Sequence, residues 1–383
     1  MELTDVVHGT IIIPKHILNI IQTPHFQRLK KIKQLGVTYK TLPQANSNRH
    51  DHCIGTYYLA DKTLDALEKN TKDLKIPDFY RKVVTIAALL HDIGHGPFSH
   101  TWEFICCGQY HHEVNASTCI DEIFKVCLLD WDVDRPYAIE LIKAFIVGDR
   151  NCLRDENYLF LFDIVNNKIC EVDVDKWDYL QRDYLLKNDI KTPEVNLDVE
   201  DVFLKARASN DRARIEYRYC DYRKIYNIFE ARSLFHIHIY QRPINTCMEN
   251  ILKYVITKCE NDLERINGFK LKEIRSQHVD AFLKLHDDEV WRILQALKKT
   301  GDILQLYNCL ENPSLSEIYP QSDDEKLSIA DYMRAEIRIA YAGEKLQSDN
   351  IPFYGNAEEK PSFEQKKGFY QSVSYFQVTP SPT

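Results

Sequence analysis

The chain has 383 residues, 44% of them apolar and 28% charged, with a formal net charge of −8. That size and balance suit a large soluble core, as one domain or a domain plus a small lobe, and the negative charge excludes a general nucleic-acid coat. No apolar run is long enough to span a bilayer, and the start, MELTDVVHGT, lacks a basic-then-apolar leader, so an intracellular protein of cytoplasm or nucleus is expected. The 11 cysteines include no CxxC pair and are expected to be buried, reduced thiols.

In chain order, residues 10–13 read as a short extended piece closed by Pro14. Thr23-Pro24 is an N-cap followed by proline in the first turn. The helix it opens has Phe26, Leu29, Ile32 and Leu35 on its apolar face and Gly36 as its stop, leaving Gln34 and Leu35 at its end, available to a ligand. A polar loop leads to NRHDHCIG, where His50 and His52 flank Asp51. A helix over 56–67 would leave this group at its N-terminal end, where anions are favoured and Arg49 adds a fixed positive charge. Residues 83–90 are apolar and read as a buried helix ending at HDIGHGPFSH, residues 91–100. Imidazole beside carboxylate, as in His91-Asp92, suits a hard or borderline divalent metal. Gly94, Gly96 and Pro97 break the helix and fold His95 and His100 back over the same site.

His111-His112-Glu113 precedes a helix over 114–128, residues 130–135 form a turn, and 137–146 are helical. In EVDVDKWDYLQRDY, residues 171–184, Asp175, Tyr179 and Asp183 recur at i, i+4, i+8 and share a helix face, with Lys176 at its edge. Residues 212–223 alternate like a short hairpin. Residues 226–241 read as one helix with Arg232, His236 and Tyr240 on a single face, which suits a phosphate-and-base pocket. Further helices are expected over 244–263, 279–285 and 287–299. A linker follows over 313–324, a last element starts over 326–346, and the chain is loosely ordered from about 347. The expected division is a catalytic domain over 1–312 and a linker with a short C-terminal region over 313–383.

Four candidate metal ligands stand out: His52, His91, Asp92 and Asp175, from three segments near helix ends. Two imidazoles and two carboxylates leave positions for water and a phosphoryl oxygen, and lower the pKa of that water. Arg49, Lys176 and Arg232 are enough to neutralise a polyphosphate. His95, His100 and His112 have the pKa range for acid–base work. The residues point to a metal-dependent phosphohydrolase acting on a nucleotide-like substrate.

This constellation resembles the HD-domain phosphohydrolase superfamily. The segments HGTIII, TPHFQRLKKIKQLG, NRHDH, HDIGHGPFSH, HHE, VDVDKWDYLQRD and ARSLFHIHIYQ are similar, in order, to the animal SAM-and-HD-domain deoxynucleoside triphosphate triphosphohydrolase family. The resemblance implies a mainly α HD-domain helical fold with a small β-hairpin and a reduced C-terminal lobe. It implies conversion of a dNTP and water to deoxynucleoside and triphosphate, lowering cellular dNTP pools. It implies one divalent ion per subunit (Fe, Zn, Mn or Mg), Mg on the substrate triphosphate, a homo-oligomer (dimer or tetramer) with a nucleotide activator at a subunit interface, and no requirement for membrane or nucleic acid.

Carried over residue by residue, His52, His91, Asp92 and Asp175 would hold the metal. Arg49, Lys176, Tyr179 and Arg232 would grip the triphosphate, and Gln34 and Asp183 the sugar 3′-hydroxyl. Leu35 against Tyr240 would exclude a 2′-hydroxyl, and His236 and Gln241 would lie along the base. His100 would protonate the departing 5′-oxygen, with His95 and His112 orienting water and the α-phosphate. The family reads an activating guanine with an acidic residue before the Thr-Pro, assisted by Gln and Arg; here those positions are Gln22, Gln27 and Lys30. A second activator pocket is also changed, with Cys220, Lys224 and Pro243, and the SAM module and a nuclear signal are expected to be absent. Two other classes stay open: another HD enzyme acting on a nucleoside monophosphate or cyclic nucleotide, and an inactive regulatory or truncated form that retains the fold.

Overall fold

The structure is a computed structural model that describes residues 1–127, 134–188, 197 and 200–313, with the strand segments 316–320, 353–354 and 376–380. It is mainly α-helical, with three small sheets among the described residues. Strand β1 (Glu2–Asp5) pairs antiparallel with β2 (Gly9–Ile12), Glu2 opposite Ile12 and Asp5 opposite Gly9. The extended piece before Pro14 is therefore half of a hairpin. Asp5 closes its turn, with Oδ1 accepting the N–H groups of Val7 (2.8 Å) and His8 (2.9 Å). Gly9, at φ +70°, takes the left-handed conformation the turn needs.

Helix α1 (Lys15–Ile21) follows Pro14. Thr23 caps α2 (Pro24–Arg28), its Oγ1 accepting the Phe26 N–H at 3.4 Å. The helix expected to reach Gly36 stops earlier: it tightens into a 3₁₀ turn at Leu29–Lys31, and Ile32 is extended. Its backbone is claimed by the next segment instead. The Gln34 N–H donates to the Ser47 carbonyl and the Arg49 N–H to the Ile32 carbonyl, both at 3.0 Å. Gly36 turns the chain at φ +57°, and a Cβ there would lie 2.4 Å from Thr101 Oγ1.

The long helices α3 (Arg49–Asn70) and α4 (Asp78–Leu90) pack together at the centre. Helix α3 begins at Arg49 rather than at residue 56, because Asn48 caps it, Oδ1 accepting the Asp51 N–H at 3.0 Å. His50 and His52 thus lie inside its first turn. Helix α4 ends at His91 as expected, and residues 83–90 are all buried. After it come α5 (His100–Ile105), α6 (His112–Val126) and α7 (Arg135–Val147), the last stopped by Gly148 at φ +66°. Most of the turn expected over 130–135 lies outside the described residues. Next are α8 (Phe162–Val165), α9 (Val174–Tyr184) and α10 (Glu200–Phe203), with α9 packed on α3 and capped by Asp173, whose Oδ1 accepts the Lys176 N–H at 3.1 Å.

Strands β3 (Arg207–Ala208) and β4 (Ile215–Arg218) form the small antiparallel pair, its first strand lying ahead of the alternating stretch. Helix α11 (Tyr222–Phe235) passes into a π-helical turn at His236–Tyr240, where one continuous α-helix was expected. The stretch 244–263 is two helices, α12 (Pro243–Lys258) and α13 (Glu260–Asn267), because Cys259 leaves helical geometry (φ −101°, ψ 13°). Helices α14 (Val279–Lys284) and α15 (Asp287–Ala296) match expectation; α16 (Gly301–Glu311), not foreseen, packs on α12. Strand β5 (Ser316–Pro320) lies within the expected linker and pairs with β7 (Phe376–Pro380), while β6 (Phe353–Tyr354) runs parallel to β4. The element expected over 326–346, and the tail beyond apart from β6 and β7, fall outside the described residues.

Phe26, Phe98, Trp102 and Tyr110 are fully buried in one continuous core. All the cysteines are free and most are buried, in line with expectation. Among the described residues no helix is long and apolar enough to cross a membrane.

Candidate active site

Three elements bring the four predicted metal ligands together: the first turn of α3 (His52), the end of α4 (His91, Asp92) and the first turn of α9 (Asp175). His52 Nε2 lies 3.2 Å from His91 Nε2, 2.9 Å from Asp175 Oδ1 and 3.4 Å from Asp92 Oδ2. His91 Nε2 lies 3.4 Å from Asp92 Oδ2 and 3.5 Å from Asp175 Oδ1. Metal–ligand bonds of about 2.1 Å imply ligand-to-ligand edges of about 3.0–3.4 Å. The donors suit one divalent ion in chemistry; in spacing, His52, His91 and Asp175 form one group with all ligand atoms within 4.8 Å of one another, and Asp92 joins His91 in a second such group with Cys53. Burial acts to raise the Asp92 carboxyl, but Arg49 and the imidazoles of His91 and His95 outweigh it and hold it well below the usual range. Burial opposes ionisation of Asp175 too, and its hydrogen bonds with His52 and His91 likewise prevail. The His91 ring is oriented from behind, Nδ1 lying 2.8 Å from the Ala88 carbonyl.

His52 is oriented by residues the sequence reading did not assign. Its Nδ1 is 2.6 Å from Asp178 Oδ2, and His8 Nε2 is 2.7 Å from Asp178 Oδ1. Arg182 binds Asp178 through Nε (2.6 Å) and also reaches Asp5 (2.9 Å) and the Asp51 carbonyl (2.9 Å). The hairpin turn that presents His8 thus leads, through Asp178, to the candidate ligand His52. One signal was available: Asp178 and Arg182 stand at i, i+4, the spacing of a helix ion pair.

Between the ligands and His100 the backbone is strained. Phe98 (φ 58°) and Ser99 (φ 56°) are both left-handed without being glycine. Surrounding groups hold them there. The Phe98 N–H donates to Asp287 at 2.7 Å, and Ser99 Oγ donates to the Lys33 carbonyl (2.6 Å) and accepts from Arg49 Nε (2.9 Å). Buried Arg28 donates to the His95 carbonyl at 2.6 Å and to that of Leu285 at 3.0 Å, with Phe282 under its guanidinium. The fold brings His95, His100 and His112 together: His95 stacks on His112 with centroids 4.0 Å apart, and His100 meets both edge-on. Glu103 bridges two of them, Oε2 lying 2.8 Å from His100 Nδ1 and Oε1 2.7 Å from His112 Nδ1. Burial, then Arg49 and His112, push His95 well below its ordinary value, so its ring is neutral.

A cavity of about 510 Å³ opens beside the cluster, within the range of small-molecule sites. All ten residues expected to touch a substrate line it: Gln34, Leu35, Arg49, Lys176, Tyr179, Asp183, Arg232, His236, Tyr240 and Gln241, together with Asp175 and His100. Burial acts to lower Lys176, but Asp173, Tyr179 and Asp175 outweigh it, so the ammonium stays charged. Arg49 is already committed, to Asp92 and to Ser99. Burial raises Asp183 to about 7, against the pull of its 2.5 Å hydrogen bond from Tyr240. Burial and Arg232 lower His236 to about 4. Gly36, Thr38, Phe98, Thr101, Phe104 and Glu249 complete the lining. Gly36 and Phe98 lie in segments singled out from the sequence, though not as lining; Thr38, Thr101, Phe104 and Glu249 carried no sequence signal, because they reach the cavity only through tertiary packing.

The expected activator residues lie away from this cavity. Gln22 and Lys30 are exposed, and Gln27 Nε2 donates to the Ile21 carbonyl at 2.7 Å. Cys220 is exposed, Lys224 lies 3.2 Å from Asp201, and Pro243 opens α12.

Residues 49–183 match the HD domain, a span that holds all four candidate ligands. The chain is 31% identical over 270 residues to the deoxynucleoside triphosphate triphosphohydrolase SAMHD1 homolog of Dictyostelium discoideum, covering 68% of this chain and 50% of that protein. It is 29% identical over 381 residues to deoxynucleoside triphosphate triphosphohydrolase SAMHD1 of Homo sapiens, covering 91% and 60%. An HD domain-containing protein of Acanthamoeba polyphaga mimivirus is 27% identical over 310 residues, covering 75% and 63%. The chain spans between half and two thirds of the length of these relatives.

Proposed function

This chain carries an HD domain of the kind found in the deoxynucleoside triphosphate triphosphohydrolases, and on that premise we propose that it hydrolyses dNTPs to deoxynucleoside and triphosphate. The observation that supports this most directly is one cavity with chemically different groups in its lining. Asp175 of the ligand cluster and Lys176 stand in the first turn of α9, and Asp183, paired with Tyr240, two turns further along the same helix, with Arg232 also in the lining.

His52, His91, Asp92 and Asp175 would hold one divalent ion, which when bound supplies positive charge at the α-phosphate and acidifies water. Lys176, Arg232 and Tyr179 bind the triphosphate, with Arg49, committed to Asp92 and Ser99, as a fixed positive charge beside the ligand residues. Asp183 and Gln34 receive the sugar 3′-hydroxyl. Leu35 and Tyr240 close on C2′, leaving an added hydroxyl neither space nor partner, a loss of about 1–3 kcal/mol beyond the clash. Water attacks the α-phosphorus, the bond from phosphorus to O5′ breaks, and His100 gives O5′ its proton. Glu103 fixes the His100 ring through Nδ1, which leaves Nε2 for that transfer. His95 and His112 orient the water and the α-phosphate. His236, neutral, and Gln241 lie along the base. The product of such an activity in a cell is a smaller dNTP pool.

Chromatography of products from each dNTP and each matching rNTP, with divalent metal supplied, tests the reading. Triphosphate and deoxynucleoside from dNTPs alone are expected. Pyrophosphate with monophosphate, or cleavage of monophosphates or cyclic nucleotides instead, points to a different HD enzyme.

A further inference from the structure

Glu249, on α12, lines the same cavity and has no cationic partner. Its Oε1 accepts the Thr101 hydroxyl at 2.6 Å, and the described residues give its second oxygen no hydrogen bond. Of the two other carboxylates lining the cavity, Asp175 is matched by His52 and His91, while Asp183, like Glu249, accepts a single hydroxyl, that of Tyr240, and is the one assigned above to the sugar. The wall that carries Glu249 is built by α5, α12 and the turn at Gly36, whose Cα closely approaches Thr101. It is a different wall from that of α9 and α11, which carry Lys176 and Arg232.

Burial pushes the Glu249 carboxyl up and the Thr101 hydrogen bond pulls it down; in its ionised form it repels a triphosphate and attracts a neutral group that donates a hydrogen bond. An anionic substrate therefore turns its phosphates toward Lys176 and Arg232 and its uncharged end toward Glu249. Resting on the nucleotide reading above, we propose that Glu249 is a base-selecting residue, whose unpartnered oxygen accepts from the exocyclic amine of a nucleobase and disfavours bases that present a carbonyl at that edge. Cytosine and uracil are the sharpest pair, being nearly equal in size and opposite in polarity at position 4. Thr101 fixes the carboxylate so that the discrimination is geometric as well as electrostatic.

The test is calorimetric binding of dCTP and dUTP analogues in which O5′ is replaced by methylene, so that the bond to be cleaved is absent, to the metal-loaded full chain, alongside turnover of dCTP and dUTP. The wild type is expected to bind the cytosine analogue about ten-fold or more tightly than the uracil analogue, the effect of one charge-assisted hydrogen bond. Glu249→Gln, which can donate to a carbonyl, should bring that ratio to about one or invert it. Thr101→Val should lower it less and provides the second variant. Equal binding of both analogues by the wild type, or a ratio unchanged in both variants, overturns the proposal. Binding with the expected ratio but without hydrolysis leaves base selection standing and removes the triphosphohydrolase reading. Failure of either analogue to bind removes both.

Discussion

Asp178 Oδ2 lies 2.6 Å from His52 Nδ1, and neither residue has an exposed side chain. The carboxylate fixes which nitrogen carries the proton. With Nδ1–H donating to Asp178, the lone pair of Nε2 faces His91, Asp92 and Asp175. Burial acts against the charged Asp178 carboxylate, but Arg182 and the His52 and His8 hydrogen bonds outweigh it and keep it ionised.

Replacing Asp178 with Asn keeps the shape and loses the charge. Partners of this kind typically govern metal affinity by ten- to a hundred-fold. Asp178→Asn should weaken metal binding by about that factor while the fold persists. Competition with a metallochromic chelator measures it, and affinity equal to that of the wild type counts against the orienting role.

Gly55 supplies a second test of the same network. A Cβ at this position would lie 1.8 Å from Asp178 Oδ1 and 2.5 Å from an Arg182 nitrogen. Alanine gains about 1 kcal/mol of helix propensity over glycine. Disturbing a buried, hydrogen-bonded ion pair costs about 3–5 kcal/mol, so the clash should win. Gly55→Ala should lower the melting temperature and the metal content together. A more stable, metal-replete variant would show that the helix has room.

Asp183 makes stability depend on pH. Its carboxyl is raised from 3.8 to about 7 by burial, so the folded state holds a proton the unfolded chain has released. The stabilising contribution is fully present below about pH 4 and fades as pH rises toward 7. In Asp183→Asn that contribution is absent. The melting temperature of the wild type relative to the variant should therefore fall between pH 4.5 and 7.5. A difference that stays flat across that range contradicts the assignment.

Much of the site was legible because its chemistry is concentrated in short motifs. HDIGHGPFSH and DVDKWDYLQRD each carry several side chains whose spacing follows from helix geometry or from a glycine break. What escaped depends on contacts between distant segments. Gly36 looked like the end of a helix, but pairing of Gln34 with Ser47 and of Ile32 with Arg49 had already ended it. His8 was assigned no role, because it reaches Asp178 only through the packing of its turn against α9. Thr101 and Glu249 are 148 residues apart and meet only across packed helices.

The resemblance implies that Gln22 and Lys30, both exposed here, stand where that family reads an activating guanine. A Gln amide offers one acceptor where a carboxylate offers two, and an ammonium lacks the planar fork of a guanidinium. Losing one charge-assisted hydrogen bond weakens binding about ten- to a hundred-fold. Hydrolysis should therefore proceed without strict dependence on GTP, and the double variant Gln22→Asp/Lys30→Arg should gain a response to it. Initial rates against GTP concentration decide this. Steep activation of the wild type, with no turnover in the absence of GTP, would count against it.

Helix α9 and its cap together carry four acids with four different partners. Asp173 closes its first turn, Asp175 joins the ligand cluster, Asp178 holds His52, and Asp183 meets Tyr240. Each successive residue on an α-helix is rotated by about 100°. Substituting one acid removes one partnership. Inserting or deleting a single residue between Asp173 and Asp183 turns every later side chain out of register at once. Length variation should therefore be far less tolerated in this eleven-residue segment than point substitution, and a deletion scan would stand out there more sharply than an alanine scan.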